Sequence, residues 1–165
     1  MLKRNFIITL GTVLALFLLA GCFSDPVQDD LEDYVNNQIM PLAEEEEEIV
    51  ALYESVTGVN YTDDFILYDT IELDIIPKYQ TFINDLEAIR PATSEVREVH
   101  ETYIQASNVQ YNAMVMILEA IEFQDQGMII DANEKLDEAR TLFRQFQYDL
   151  EDLLDEHNLE LEEDE

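Results

Sequence analysis

Residues 129–153 read IIDANEKLDEARTLFRQFQYDLEDL, and their apolar positions decide the fold. Ile129, Ala132, Leu136, Ala139, Phe143, Phe146, Leu150 and Leu153 advance in alternating steps of three and four. Residues three and four apart share one face of an α-helix, so this spacing draws a narrow apolar stripe down a single helix. A strand would need apolar residues at every second position, and no stretch of this chain supplies them. The side chains between the stripe positions are mostly Asp, Glu, Arg and Gln, which suits a solvated outer face.

The same reading works three more times upstream. Val96, Val99, Tyr103, Ala106, Gln110, Ala113, Ile117 and Ala120 form a second seam, whose alanines let a neighbouring helix come close. Gln110 is the polar member of that seam and is expected to be buried, fixing register as a polar seam residue does in coiled coils. Tyr68, Ile71, Ile75, Tyr79, Phe82, Leu86 and Ile89 form a third stripe, irregular around Pro77. Val27, Leu31, Val35, Ile39, Leu42, Ile49, Leu52 and Val56 form the fourth, interrupted by Pro41. A proline inside a helix lacks the donor and crowds the carbonyl four residues back. Pro41 is therefore expected to split its helix and Pro77 to bend the other.

Turn and cap residues fall between the stripes. Asp25-Pro26 opens the first helix as N-cap and first helical residue, and Thr57-Gly58-Val59-Asn60 closes it. Thr62 or Asp63 caps the second. Arg90-Pro91-Ala92-Thr93 leads to the third, capped by Thr93 or Ser94, and Gln124-Asp125-Gln126-Gly127 leads to the fourth. Short connections between long helices make sequential neighbours antiparallel. The expected fold is all-α, an up-down-up-down four-helix bundle over residues 27–157, followed by an acidic tail at 158–165.

The N-terminus is of a different kind. Lys3 and Arg4 precede an uncharged apolar run from Phe6 to Ala20. As a helix that run is about 22 Å long, against a hydrocarbon core of about 30 Å, which suits a signal peptide better than a permanent span. It ends in Leu19-Ala20-Gly21-Cys22. Those four residues resemble the lipobox of bacterial lipoproteins. The resemblance implies that the thiol of Cys22 receives diacylglycerol and that residues 1–21 are cut away before it. Residues 22–26 then form a lipidated N-terminus with a short linker. Cys22 is the one cysteine in the sequence, so lipidation also accounts for an otherwise unpaired thiol in a secreted chain. The mature part, on Asn60-Tyr61-Thr62-Asp63-Asp64, Ile76-Pro77-Lys78-Tyr79 and His100-Glu101-Thr102-Tyr103, resembles small helical lipoproteins of Gram-positive bacteria. That resemblance carries no functional residue across.

Charge narrows the partners. All 38 acidic residues lie after the signal, with six of the eight basic ones, so residues 22–165 carry a net charge of −32. Such a surface repels nucleic acid and anionic head groups and attracts cations. The apolar fraction of the whole sequence, 47%, and the helical periodicity favour a folded domain over a disordered one.

Residues able to do chemistry are few. Glu44 to Glu48 are five consecutive glutamates that a helix spreads around its circumference, so they are expected on solvated faces. A carboxylate-bridged metal pair needs Glu-x-x-His steps, but Arg97 and Leu154 precede His100 and His157 by three. His100 is expected at the boundary of its stripe, and His157 near a helix C-terminus. No calcium loop, glycine-rich phosphate loop or nucleophile elbow is legible. The tyrosines, Tyr34, Tyr53, Tyr68, Tyr79, Tyr103, Tyr111 and Tyr148, read as core and boundary fillers. The expected function is therefore non-enzymatic, without cofactor, metal or catalytic residues. It is an interaction or binding module of the cell envelope, held by lipid on Cys22 at the extracytoplasmic face of the membrane. It would serve a cell-envelope protein or, alternatively, capture cationic peptides or metal ions.

Overall fold

The computed structural model describes residues 25–159; the expected signal peptide at 1–21, Cys22 and the last six residues lie outside them. The chain forms helices throughout, with no strand among the described residues. Helix α1 (Pro26–Asp33) runs through a π-helical turn (Tyr34–Ile39) into α2 (Met40–Ser55). A 3-10 turn at Gly58–Asn60 follows. Helix α3 (Asp64–Thr70) likewise runs through a π turn (Ile71–Ile75) into α4 (Ile76–Ala88). Helices α5 (Ser94–Phe123) and α6 (Gln126–Glu156) are uninterrupted. The described residues thus form four helical rods, the first two each carrying one π turn. A rod of 30 residues, such as α5, is about 45 Å long.

Pro41 does not split the first rod as expected, and the π turn is the reason. Met40 donates its N–H to Val35, five residues back rather than four. The wider turn carries the carbonyl four residues before Pro41 away from its ring, and the helix passes through. Pro77 is accommodated in the same way, with Ile76 donating to Ile71. A π turn of this kind is an uncommon insertion in a helix, and here each one ends two residues before a proline.

The ends of the rods follow local chemistry. Oδ1 of Asp25 accepts from the N–H groups of Val27 at 3.0 Å and Gln28 at 3.4 Å, with Pro26 at the first helical position. Gly58 has φ +57, the left-handed conformation that turns the chain out of the first rod. Asp63, rather than Thr62, caps α3 through Ile66 N–H at 3.0 Å. Helix α5 ends in a Schellman motif: Gln124 is left-handed at φ 51, its N–H meets Ile121 and that of Asp125 meets Ala120. Asp125 then caps α6, accepting from Gly127 at 2.8 Å. Gly127 therefore lies in the first turn of α6 instead of breaking the chain. A Cβ on it would sit 3.1 Å from the capping carboxylate.

The stripes read from the sequence form the core. Leu31, Tyr34, Ile71, Ile75, Tyr79, Phe82, Leu86, Val96, Ala106, Ala113 and Ala132 are fully buried. Each large apolar side chain sunk this way contributes about 1.5–3 kcal/mol. Helices α5 and α6 pack most extensively, and both bring alanines to the core: Ala106, Ala113 and Ala120 from one, Ala132 and Ala139 from the other. Their pairing is antiparallel, since Ile129 lies near Ala120, Phe146 stacks on Tyr103 and Leu153 lies near Val99. In α6 the stripe drifts at its end, where Leu154 is buried and Leu153 only half so.

Contacts between rods define two ends. At one, Asp25 meets His157 and Asp30 meets the turn at Ala92 and Thr93. At the other, Tyr68 on α3 meets Glu122 at the end of α5, at 2.6 Å.

Candidate functional site

The polar side chains that reach the interior are where chemistry would lie, and three of them, Asp30, His100 and Glu46, join two rods. Asp30 sits one turn into α1 and is 8% exposed. It accepts from Ala92 N–H at 3.0 Å, Thr93 N–H at 2.7 Å and the Thr93 hydroxyl at 2.6 Å. Burial opposes its ionisation, but these bonds and the nearby Arg97 prevail and hold the carboxyl below its usual range. Thr93 occupies the cap position of α5, yet its hydroxyl serves Asp30 and makes no bond to its own helix.

His100 is not at the boundary as expected; it is 2% exposed, inside the core. Its Nδ1 lies 3.0 Å from the Tyr34 hydroxyl, and the two rings meet edge to face. Burial pushes the imidazole pKa down. A neutral ring accepting the Tyr34 proton at Nδ1 fits this site, which leaves Nε2 buried with no hydrogen-bond partner.

Glu46, from the glutamate run, turns inward while Glu44, Glu45, Glu47 and Glu48 are exposed. It accepts from the Tyr103 hydroxyl at 2.8 Å, and burial raises its pKa. Tyr103 in turn stacks on Phe146 with ring centroids 4.4 Å apart and packs edge to face on Phe82. The Tyr79 hydroxyl is buried nearby with no hydrogen-bond partner, and the Ser107 hydroxyl donates to the Tyr103 carbonyl. Burial pushes Tyr34, Tyr79 and Tyr103 above the ordinary tyrosine range, so all three stay protonated. Tyr68 is pushed up to about 12, chiefly by its bond to Glu122. Gln110, expected to be buried, is half-exposed; Ser107 and His100 are the buried polar residues of α5.

His157 closes the bundle. Its Nδ1 lies 2.5 Å from Oδ2 of Asp25, so the last turn of α6 is clasped to the first cap of α1. This bond, before the other causes, holds the Asp25 carboxyl below its usual range. Cys22, the residue expected to carry the lipid, lies three residues before this clasp and outside the described residues.

Two surface grooves flank the same end. One, of about 570 Å³, is lined by Glu87, Arg90, Pro91, Arg97, His100 and Glu101 among others. Both arginines there donate to backbone carbonyls, Arg90 to Glu87 and Ile89 and Arg97 to Ala92. The second, of about 320 Å³, is walled by Glu95, Glu98, Asp149, Asp152 and Glu156. Among the described residues no three carboxylates, histidines or cysteines converge closely enough to hold a metal ion. No helix among them is long and apolar enough to cross a membrane.

The polar stripe positions carried a signal that the sequence reading passed over. Asp30, Glu46 and His100 each stand three or four residues from buried apolar neighbours, at Tyr34, at Leu42 and Ile49, and at Val96 and Tyr103.

Comparison with known proteins adds the family. No curated protein and no solved structure matches the chain. Residues 2–165 match the family described as EMYY-motif containing lipoprotein. The Glu-Met-Tyr-Tyr string that this description spells does not occur in the sequence. With nearly the whole chain matched, the protein belongs to the EMYY-motif containing lipoproteins and is a membrane-associated bacterial lipoprotein.

Proposed function

We propose that the protein is a non-enzymatic interaction module of the cell envelope, an up-down-up-down four-helix bundle tethered by diacylglycerol on Cys22 to the extracytoplasmic face of the cell membrane. The observation that carries this reading is the clasp between Asp25 and His157. It joins the start of the first rod to the end of the last, three residues from Cys22. Three residues span at most about 11 Å, so this end of the bundle stands at the head groups. The opposite end is held about 45 Å further out, a rod's length away. The interior polar groups support the non-enzymatic part, because Asp30, Tyr34, His100, Glu46 and Tyr103 are engaged in joining one rod to another. A second reading, capture of cationic peptides or metal ions, draws support from the five carboxylates of the groove between α5 and α6.

Mass spectrometry of the mature N-terminus tests the tether. The expected result is cleavage between Gly21 and Cys22 with acyl mass on Cys22; a free thiol there removes it. Crosslinking on intact cells tests the module. A saturable partner is expected, and its loss at moderate salt favours cation capture instead.

A further inference from the structure

The end of the bundle far from the tether is unlike the rest of the surface. Phe65 and Phe123 are 72% and 71% exposed, and Val59, Tyr61, Ile66 and Ile130 are exposed beside them in sequence. The loop after the first rod, the start of α3, the end of α5 and the start of α6 bring these side chains to one end. The Tyr68–Glu122 bond ties α3 to α5 there. Asp64 lies with Gln124, Asp125 and Ile129 around a notch of about 280 Å³. Single exposed apolar residues need no explanation, but several gathered at one end with two phenylalanines do.

The charged residues at the rim of this end are all acidic. Asp63, Asp64, Glu122, Asp125 and Asp131 surround the apolar residues, and no Lys or Arg occurs from residue 25 to 77 or from 98 to 134. The nearest cations along the chain, Lys78 and Lys135, are already paired with Glu48 and Glu138. An apolar centre enriched in aromatic residues inside a charged rim is the composition of a protein-binding face. Here the rim has one sign. A second copy of this chain would oppose acid to acid, and the anchoring membrane lies at the other end.

From this we infer that the membrane-distal tip docks a protein partner with an apolar centre and a lysine- or arginine-rich rim. The inference deepens the interaction-module reading and rests on it. Phe65 and Phe123 supply the apolar contact. The notch between α3 and the α5–α6 turn receives one basic side chain between Asp64 and Asp125. The acids set specificity and speed of encounter more than affinity.

The test uses the full-length lipidated protein in phosphatidylcholine vesicles, read against empty vesicles. Two synthetic helical peptides share a leucine face, one rimmed with lysine and one with glutamate. The lysine-rimmed peptide is expected to bind at least about tenfold more tightly than the other, and the double variant Phe65→Ser/Phe123→Ser to lose about tenfold or more of that affinity. Tyr148→Ser, which removes an equally exposed aromatic residue from the side of α6, is expected to leave binding unchanged. Equal binding to wild type and the double variant overturns the tip assignment while leaving the module reading standing. Equal binding of both peptides, or of neither, overturns the rim chemistry. Concentration-dependent dimers abolished by the double variant would assign the tip to a second copy. Failure of the module reading itself appears separately, as absence of any saturable partner on cells.

Discussion

Removing the carboxylate of Asp30 tests how the first rod is fastened to the turn before α5. Three donors converge on it, from Ala92 N–H, Thr93 N–H and the Thr93 hydroxyl. A hydrogen bond to a charged acceptor contributes about 1.5–3 kcal/mol net, and a donor left buried costs a similar amount. Not all three are lost in full. Ala92 is exposed, so its N–H finds water, and the Thr93 hydroxyl can rotate. The Thr93 N–H is the donor with least access to a substitute. Asp30→Ala should therefore cost about 2–4 kcal/mol, and Asp30→Asn, which keeps one acceptor oxygen, about half as much. Against a total stability of about 5–15 kcal/mol this is a large loss. Urea unfolding of the fragment from Ser24 onward, followed by circular dichroism at pH 7, should show a lower midpoint with an unchanged slope. The depressed carboxyl also sets a sign with pH. Its contribution is present above the ordinary value of 3.8 and is lost as pH falls through the folded value. An Asp30→Ala variant within ~0.5 kcal/mol of wild type would refute the reasoning, because it would mean that water serves those donors as well as the carboxylate does.

Truncating the aromatic stack grades the fourth rod. Phe146→Ala should cost about 3–5 kcal/mol, and Phe143→Ala less because that ring is only half-buried; the reverse order in a chemical melt would show the seam misread. Buried His100 and half-buried Glu46 oppose each other in acid. The lowered pKa of His100 means stability is complete above 6.5 and falls as pH drops through the folded value. The raised pKa of Glu46 means its contribution is complete below 4.5 and is lost as pH rises through the folded value. Glu46→Gln should accordingly stabilise the domain at pH 7, and His100→Gln should flatten the profile just below pH 6.5; melts across pH 4 to 8 check both. The melting temperature should rise with sodium chloride as the Debye length falls from ~30 Å at 0.01 M to ~8 Å at 0.15 M, and further with magnesium at equal ionic strength. A flat or falling curve would show the acids too widely spaced to repel.

The seams of α5 and α6 were legible because their apolar residues are many and their helices run unbroken. Every apolar member of the α5 seam is buried. Polar members were harder. Gln110 stands on the same seam as Ala106 and Ala113, but a long amide can carry its head group toward water, whereas Ser107 satisfies itself on the Tyr103 carbonyl and can stay inside. Glu46 was hidden by its neighbours: five glutamates in a row read as solvent-facing, and spacing to Leu42 and Ile49 places Glu45 and Glu46 alike, although only Glu46 turns inward. Even where spacing shows that a residue is inward, it does not show which residue receives it. The partners of Asp30, Glu46 and His100 lie 57 or more positions away, so they emerge only when the rods are assembled. The prolines misled for a different reason. The rule that proline breaks a helix assumes an α turn, and a π turn relaxes that assumption.

Those π turns bear on how the chain can change in length. A π turn takes in one residue more than the α turn it replaces, so each of the first two rods stores a spare residue ahead of its proline. Deleting one residue from Tyr34–Ile39 together with Pro41→Ala would let that rod close into continuous α-helix with the residues on either side still in register. The same deletion within α5 or α6 would rotate everything beyond it by about 100° and bury the acidic face, since 3.6 residues make one turn. Tolerance to a lost residue is thus confined to the first hairpin, and the second has fixed length.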